Sequence, residues 1–469
     1  MATTSWANGV DGNFNTAANW TNGVPIFGDV ALITAPGTYT VTSSQGNSVG
    51  DLEMAKHASL DIAAGTFDVT VGTATGALAG TVAVDPGTTL ELGSDGEDTK
   101  FDNTGLLSLI GSLGLTQLVV SGNATLNGKG KITLNSNDQI VSDGNSANLL
   151  SHNDISGRGT IGDGNLAFTN EGGAVIDAND PNESLNVDAE DFDNSGVLEA
   201  SNQGQLVINT YINNGNSGKV EVGADSSMLL AGAIITGGVM SVGKGAMLTA
   251  IDDFGNTIDT KGAMTNAGEI STNGGGIEFQ NAVKNAATGS FNATGSGFNL
   301  LQFDSTVTKG TATIDGAVIN FMAAASTNVT FESAGAEYLV LGDPQKFTGT
   351  VAGMTTDSEA FIDLENIQFA DNPAVSPLSA KGVLTVTDPV THVVDKIKIV
   401  GGGTFTASGA TDGSTLISDP PAGSAGNANL LAQAAASFGA NSGIAGPGTH
   451  SVAEYYRSSD FLAADSHHG

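Results

Sequence analysis

The stretch that decides the fold is FDNSGVLEA, Phe192 to Ala200, and its echo INNGNSGKVEV, Ile212 to Val222. In each, an apolar residue is followed by Asn, then Gly, then an apolar-x-apolar pair. The same phrase opens as FDNTGLLSL at Phe101, FTNEGGAVIDA at Phe168, MTNAGEIST at Met264 and VKNAATGSFNA at Val283. Repeats at a spacing of about 20 residues mark solenoids, whose units bury their apolar faces only by stacking on one another. Alternate apolar positions point into such a coil. Gly and Asn suit the corners, because both reach left-handed backbone angles cheaply, and Asn stacked on Asn forms an amide ladder. At that spacing, residues 101 to 330 predict on the order of eleven coils.

Composition agrees. Of 469 residues 39% are hydrophobic, which supports a continuous core and excludes wholesale disorder. The 65 glycines follow no triplet period, so collagen is excluded. Acidic residues number 49 against 15 basic ones, a net charge of −34. A surface so acidic repels phosphate backbones and anionic membranes, so no nucleic acid is expected as a partner. Divalent cations bridging carboxylates would relieve the repulsion. There is no Cys, hence no disulfide, thiolate metal site or Cys nucleophile. Neither a signal peptide nor a transmembrane segment is expected; LLSLIGSLGLTQLVV, Leu106 to Val120, is short, broken by Gly and Ser, and reads as core strands.

Four regions follow. Residues 1–100 read as an N-terminal β cap with the first coils; they hold both tryptophans, Trp6 and Trp20, for which burial in the cap is preferred over a sugar-stacking role. Residues 101–330 form the repeat zone, and 331–421 read as a β-rich module capping the open end. Residues 422–469 are an Ala/Gly-rich linker and an amphipathic, partly helical tail. Its apolar residues Leu430, Leu431, Phe438, Tyr455, Tyr456 and Phe461 have little local core to join, so they are expected to serve self-association.

The Asn-Gly coils of the repeat zone resemble the right-handed parallel β-helix of haemagglutinin and autotransporter passenger proteins. The opening GNFNTAANWTNGVP and the segment KFTGTVAGMTTDSEAFIDLENIQF resemble parts of large type I-secreted surface proteins of rhizobia and other alphaproteobacteria. The C-terminal EYYRSSDFLAADSHHG shows no membrane barrel of the autotransporter kind. The resemblance implies an extracellular protein at the cell surface or in the biofilm matrix of a Gram-negative bacterium.

Candidate chemistry is sparse. DANDPNESLNVDAEDFD gathers Asp177, Asp180, Glu183, Asp188, Asp191 and Asp193, oxygen donors of the kind calcium requires, although the spacing matches no EF-hand and a solvated acidic loop is the preferred reading. Asp95, Glu97, Asp98 and Asp102 form a lesser cluster. His152, Asp154 and Arg158 in SHNDISGRG are the close set mixing imidazole, carboxylate and guanidinium, with Lys129 and Lys131 about one coil earlier. They are the candidate residues for a polysaccharide lyase or glycosidase. No nucleophile elbow, zincin, Walker or dinucleotide motif occurs in the right context. Structural or adhesive work, with no certain cofactor and calcium as the possible one, is therefore the expected function, through self-assembly into a homo-oligomer, filament or layer or through a surface polysaccharide. A glycan-degrading enzyme or a non-catalytic carbohydrate-binding protein is the alternative.

Overall fold

A computed structural model describes residues 2–419 apart from 74–75, 113, 136, 252–254, 296–298, 333–334 and 355–358, with the side chains of 95–96 also left aside. The expected all-β parallel β-helix is what the chain forms: parallel stacked coils of about 14 turns. One turn illustrates the rest. Val175–Ala178 lies on a first face, Ser184–Val187 on a second and Phe192–Asn194 on a third; Val197–Ala200 then returns to the first, in register on Val175–Ala178. The first face is a separate sheet of 14 strands. The other two merge into one sheet of 33 strands, because strands such as Thr89–Asp102 and Gln117–Asn127 bend through both. Hydrogen-bonded side chains on successive turns lie between 18 and 32 residues apart.

Alternation places Leu198, Ala200, Leu206, Ile208, Val220 and Val222 inside, all essentially without exposure. Register turns single aromatics into columns. Phe279, Phe303 and Phe321 stack with ring centroids 4.9 and 5.3 Å apart, and Phe168 stacks on Phe192 at 5.3 Å. These distances approach the spacing of neighbouring strands, about 4.8 Å, so each ring fills the lumen above the last.

The repeated phrase builds an amide ladder. Asn170 Nδ2 donates to Asn194 Oδ1 at 2.8 Å, and Asn194 Nδ2 donates to Asn214 Oδ1 at 2.7 Å. Asn194 also donates to the Lys219 carbonyl at 2.9 Å, so both of its amide protons are used. A second ladder joins Asn266 to Asn285 at 3.0 Å. The two ladders stand at different corners. Asn170, Asn194 and Asn214 mark the passage from third face to first, whereas Asn266 and Asn285 mark that from first to second. One phrase thus serves two corners.

Some glycines of the phrase are left-handed as expected, Gly173 at φ +93 and Gly215 at φ +52, but others have a different cause. Gly196, Gly218 and Gly268 are not at positive φ. A Cβ on them would collide with the carbonyl oxygens of Ala174, Asn194 and Ala246, respectively, in the preceding turn. Close backbone approach, not left-handed geometry, selects Gly there.

At the N-terminal end Trp6 and Trp20 are buried edge to face at 5.1 Å, and Phe14 packs on Trp20 at 5.0 Å. The indoles donate to the carbonyls of Val10 and Phe14. They plug the coil and offer no platform to a sugar. At the other end parallel pairing continues through Ala336–Leu341 and Glu359–Gln368. Direction then reverses: Ser414–Ser418 pairs antiparallel with Glu359–Gln368, and Val383–Thr387 antiparallel with Val394–Val400. Among the described residues no helix is long and apolar enough to cross a membrane.

Candidate functional site

The three-faced turn disperses residues that are close in sequence. His152 and Arg158 stand at opposite ends of the first-face strand Asp154–Gly157, roughly 20 Å apart at about 3.3 Å per residue. His152, Asp154 and Arg158 therefore do not form the constellation that their spacing suggested. Asp154 instead accepts the Val175 N–H at 3.1 Å, and Lys131 stacks in register on Asp154.

Arg158 turns to residues one coil further on. Its Nε lies 3.2 Å from Asp180 Oδ2, and its Nη1 lies 2.9 Å from Glu183 Oε1. The acidic cluster is divided in the same way. Asp177, on the first face, accepts the Ser201 hydroxyl at 2.9 Å, and burial raises its carboxyl above the usual range. Asp188 lies beyond the second face, raised first by burial and then by the charge of Asp163. Asp191 is raised by burial and by Asp193, while Asp193 accepts from Asn213 at 2.7 Å. Among the described residues no group of three or more His, Asp or Glu side chains is placed to hold a metal ion. In the lesser cluster Asp98 accepts from Asn123 at 2.8 Å. The self-association candidates Leu430, Leu431, Phe438, Tyr455, Tyr456 and Phe461 lie outside the described residues.

Beside the Arg158 ion pairs a groove of about 500 Å³ crosses four successive turns. Its lining begins at Gly114 and Leu115, passes Asn137 and Gln139, then Gly159 and Thr160, and ends at Ser184 and Asn186, with Glu183 on the rim. Gln139 Oε1 accepts from Gln117 Nε2 at 3.1 Å, and Ser184 donates to Gln205 Oε1 at 2.7 Å. The surface is one of amides and hydroxyls, with the half-exposed Leu115 as its apolar element.

Two carboxyl pairs escaped sequence reasoning. On the third face burial pushes the Glu278 carboxyl up to about 7, helped by its hydrogen bond to Asp304 and by the charges of Asp304 and Asp259. At the C-terminal cap Asp363 is fully buried on the strand Glu359–Gln368. Ser414 Oγ lies 2.6 Å from Asp363 Oδ1 and 2.7 Å from Asp412 Oδ1. A hydroxyl has one proton to donate, so both contacts are hydrogen bonds together when one of the carboxyls carries a proton. Burial supplies the reason for one, pushing Asp363 up to about 7 against the opposing Ser414 hydrogen bond, with Asp412 and Glu365 adding repulsion.

Comparison with protein-family models, with curated proteins and with solved structures gave no match for this chain.

Proposed function

We propose that this protein is a secreted structural or adhesive rod of the bacterial cell surface or biofilm matrix. The observation that carries the reading is the parallel ladder running through about 14 turns, from the plugged N-terminal end to the reversed strands at the other. Such a body is stiff along its axis and presents long outward columns of side chains, which suits many weak contacts acting together. The residues that stood for an enzyme, His152, Asp154 and Arg158, face different neighbours, and Arg158 is held by two carboxylates. Assembly into a filament or layer would then run through the flanks or through the chain beyond Asp419, since reversed strands cover the C-terminal coil. Electron microscopy of the purified full chain, with calcium and with chelator, tests this. Filaments or sheets are expected; dispersed single rods under both conditions, with no adhesion of coated beads to cells, overturn it. Calcium-dependent assembly would add a cation to the contact.

A further inference from the structure

We infer that the groove on the second face binds an uncharged, hydroxyl-rich polysaccharide running along the rod axis. This rests on the adhesive reading and gives it a ligand class.

The groove belongs to a longer column. Register places Thr66, Thr89, Gln117, Gln139, Thr160 and Asn186 directly above one another on the outer side of the second face. The column continues through Val207, Leu229, Thr249 and Ser271, and from there through Asn292 and Thr313 to Thr330. Every residue in it is neutral, in a chain of net charge −34. The first face differs: its corresponding column includes Asp177, Glu199 and Glu221. A charge-free column on so acidic a rod is where an extended neutral polymer meets the fewest carboxylates, and Glu183 at the groove's rim is already engaged by Arg158.

The groove is the recessed part of this strip. Its four turns span three steps of about 4.8 Å, roughly 14 Å along the axis, the length of a short oligosaccharide. Amides supply both donors and acceptors, and hydroxyls either one, which matches a ligand whose groups are all hydroxyls and ether oxygens. Leu115, about half exposed, offers an apolar contact for the C–H face of a sugar ring. Gly159, at φ +133 and against the Asp138 carbonyl, admits no side chain, and it is part of the groove's lining.

Charge selects among polysaccharides. Arg158 is the cation beside the groove, and Asp180 and Glu183 both engage it. No net positive charge remains there for uronate or sulfate, and the rod as a whole repels polyanions. With no aromatic side chain in the lining, each contact is weak, and strength comes from a long chain meeting many turns or many rods.

The test is binding of the full chain to immobilised neutral β-glucan, oligogalacturonate and dextran sulfate, with a Gln139→Ala/Asn186→Ala double variant and Glu278→Gln, on another face, as the control. Binding to the neutral glucan alone is expected, weakened at least about tenfold in the double variant and unchanged in Glu278→Gln. Circular dichroism melting shows whether the double variant is folded; if it is not, Gln139→Glu, which keeps the volume and adds a charge, is to give the same loss. Preference for either polyanion, equal binding by the groove variants and the wild type, or no binding to any of the three overturns the inference. Filaments seen without glycan binding leave the structural reading standing while this inference falls.

Discussion

Replacing Asp363 with Asn should make the C-terminal cap indifferent to a pH range that loosens it in the wild type. Asp363 carries its proton in the folded state to about 7, against an ordinary value of 3.8. Between those values the folded chain holds a proton that the unfolded chain has released, so stability falls as pH rises. Below about 3.8 both states are protonated and the penalty vanishes; above about 7 it is complete. A displacement of about three pH units corresponds to about 4 kcal/mol, at about 1.4 kcal/mol per unit. That figure is a ceiling, because a cap hairpin that opens slightly lets water reach the charge. Asn reproduces the neutral acid, donating to Ser414 Oγ while Ser414 donates to Asp412. Amide hydrogen exchange of peptides covering Glu359–Gln368 and Thr406–Gly409, corrected for intrinsic rates, reads the local opening directly. At pH 4 the two proteins should be equally protected. At pH 8 the variant should be the better protected, by up to about a thousandfold. A variant that tracks the wild type across this range, or is less protected at pH 8, refutes the reasoning.

Two further substitutions examine the interior. Asn194→Ala removes the acceptor for Asn170 and the donors to Asn214 and the Lys219 carbonyl, at a position with no exposure. Orphaned buried groups cost about 1–3 kcal/mol each, so a loss of about 3–5 kcal/mol in urea unfolding is expected, against under about 1 kcal/mol for the neighbouring exposed Asp193→Ala. Phe303→Ala removes the ring between Phe279 and Phe321 and the edge contact to Phe291 at 4.7 Å. It should cost about 3–5 kcal/mol and lower the thermal midpoint, whereas Phe303→Leu should cost less than half as much.

What could be read from the chain and what could not divide along one physical line. The coil, its alternating strands and its Asn ladder are local or repeat with the turn, so FDNSGVLEA was enough to find them. The corner that each phrase occupies is not local. MTNAGEIST has the same form as FDNSGVLEA, yet Met264 lies on the first face and Phe192 on the third, because turns differ in length and the phrase drifts relative to the faces. The reason for Gly196 was likewise hidden, since it is the Ala174 carbonyl of another turn that excludes a side chain. Arg158 carries a usable signal: its partners Asp180 and Glu183 follow it by one turn, while His152, its neighbour in sequence, is a strand's length away.

That geometry changes where function should be sought in such a chain. Six residues of sequence carry a side chain across a whole face, whereas one turn brings it to within a strand spacing of where it began. A motif search along the sequence therefore samples the circumference, and chemistry built along the axis appears to it as scattered single residues. Gln117, Gln139, Thr160 and Asn186 share no motif, yet register makes them one surface. Glu278 and Asp304 come together in the same way, and their shared hydrogen bond follows from it. A solenoid's recognition code is its columns, and the column least like the rest of this acidic surface, the neutral one on the second face, is where a partner gains most from contact.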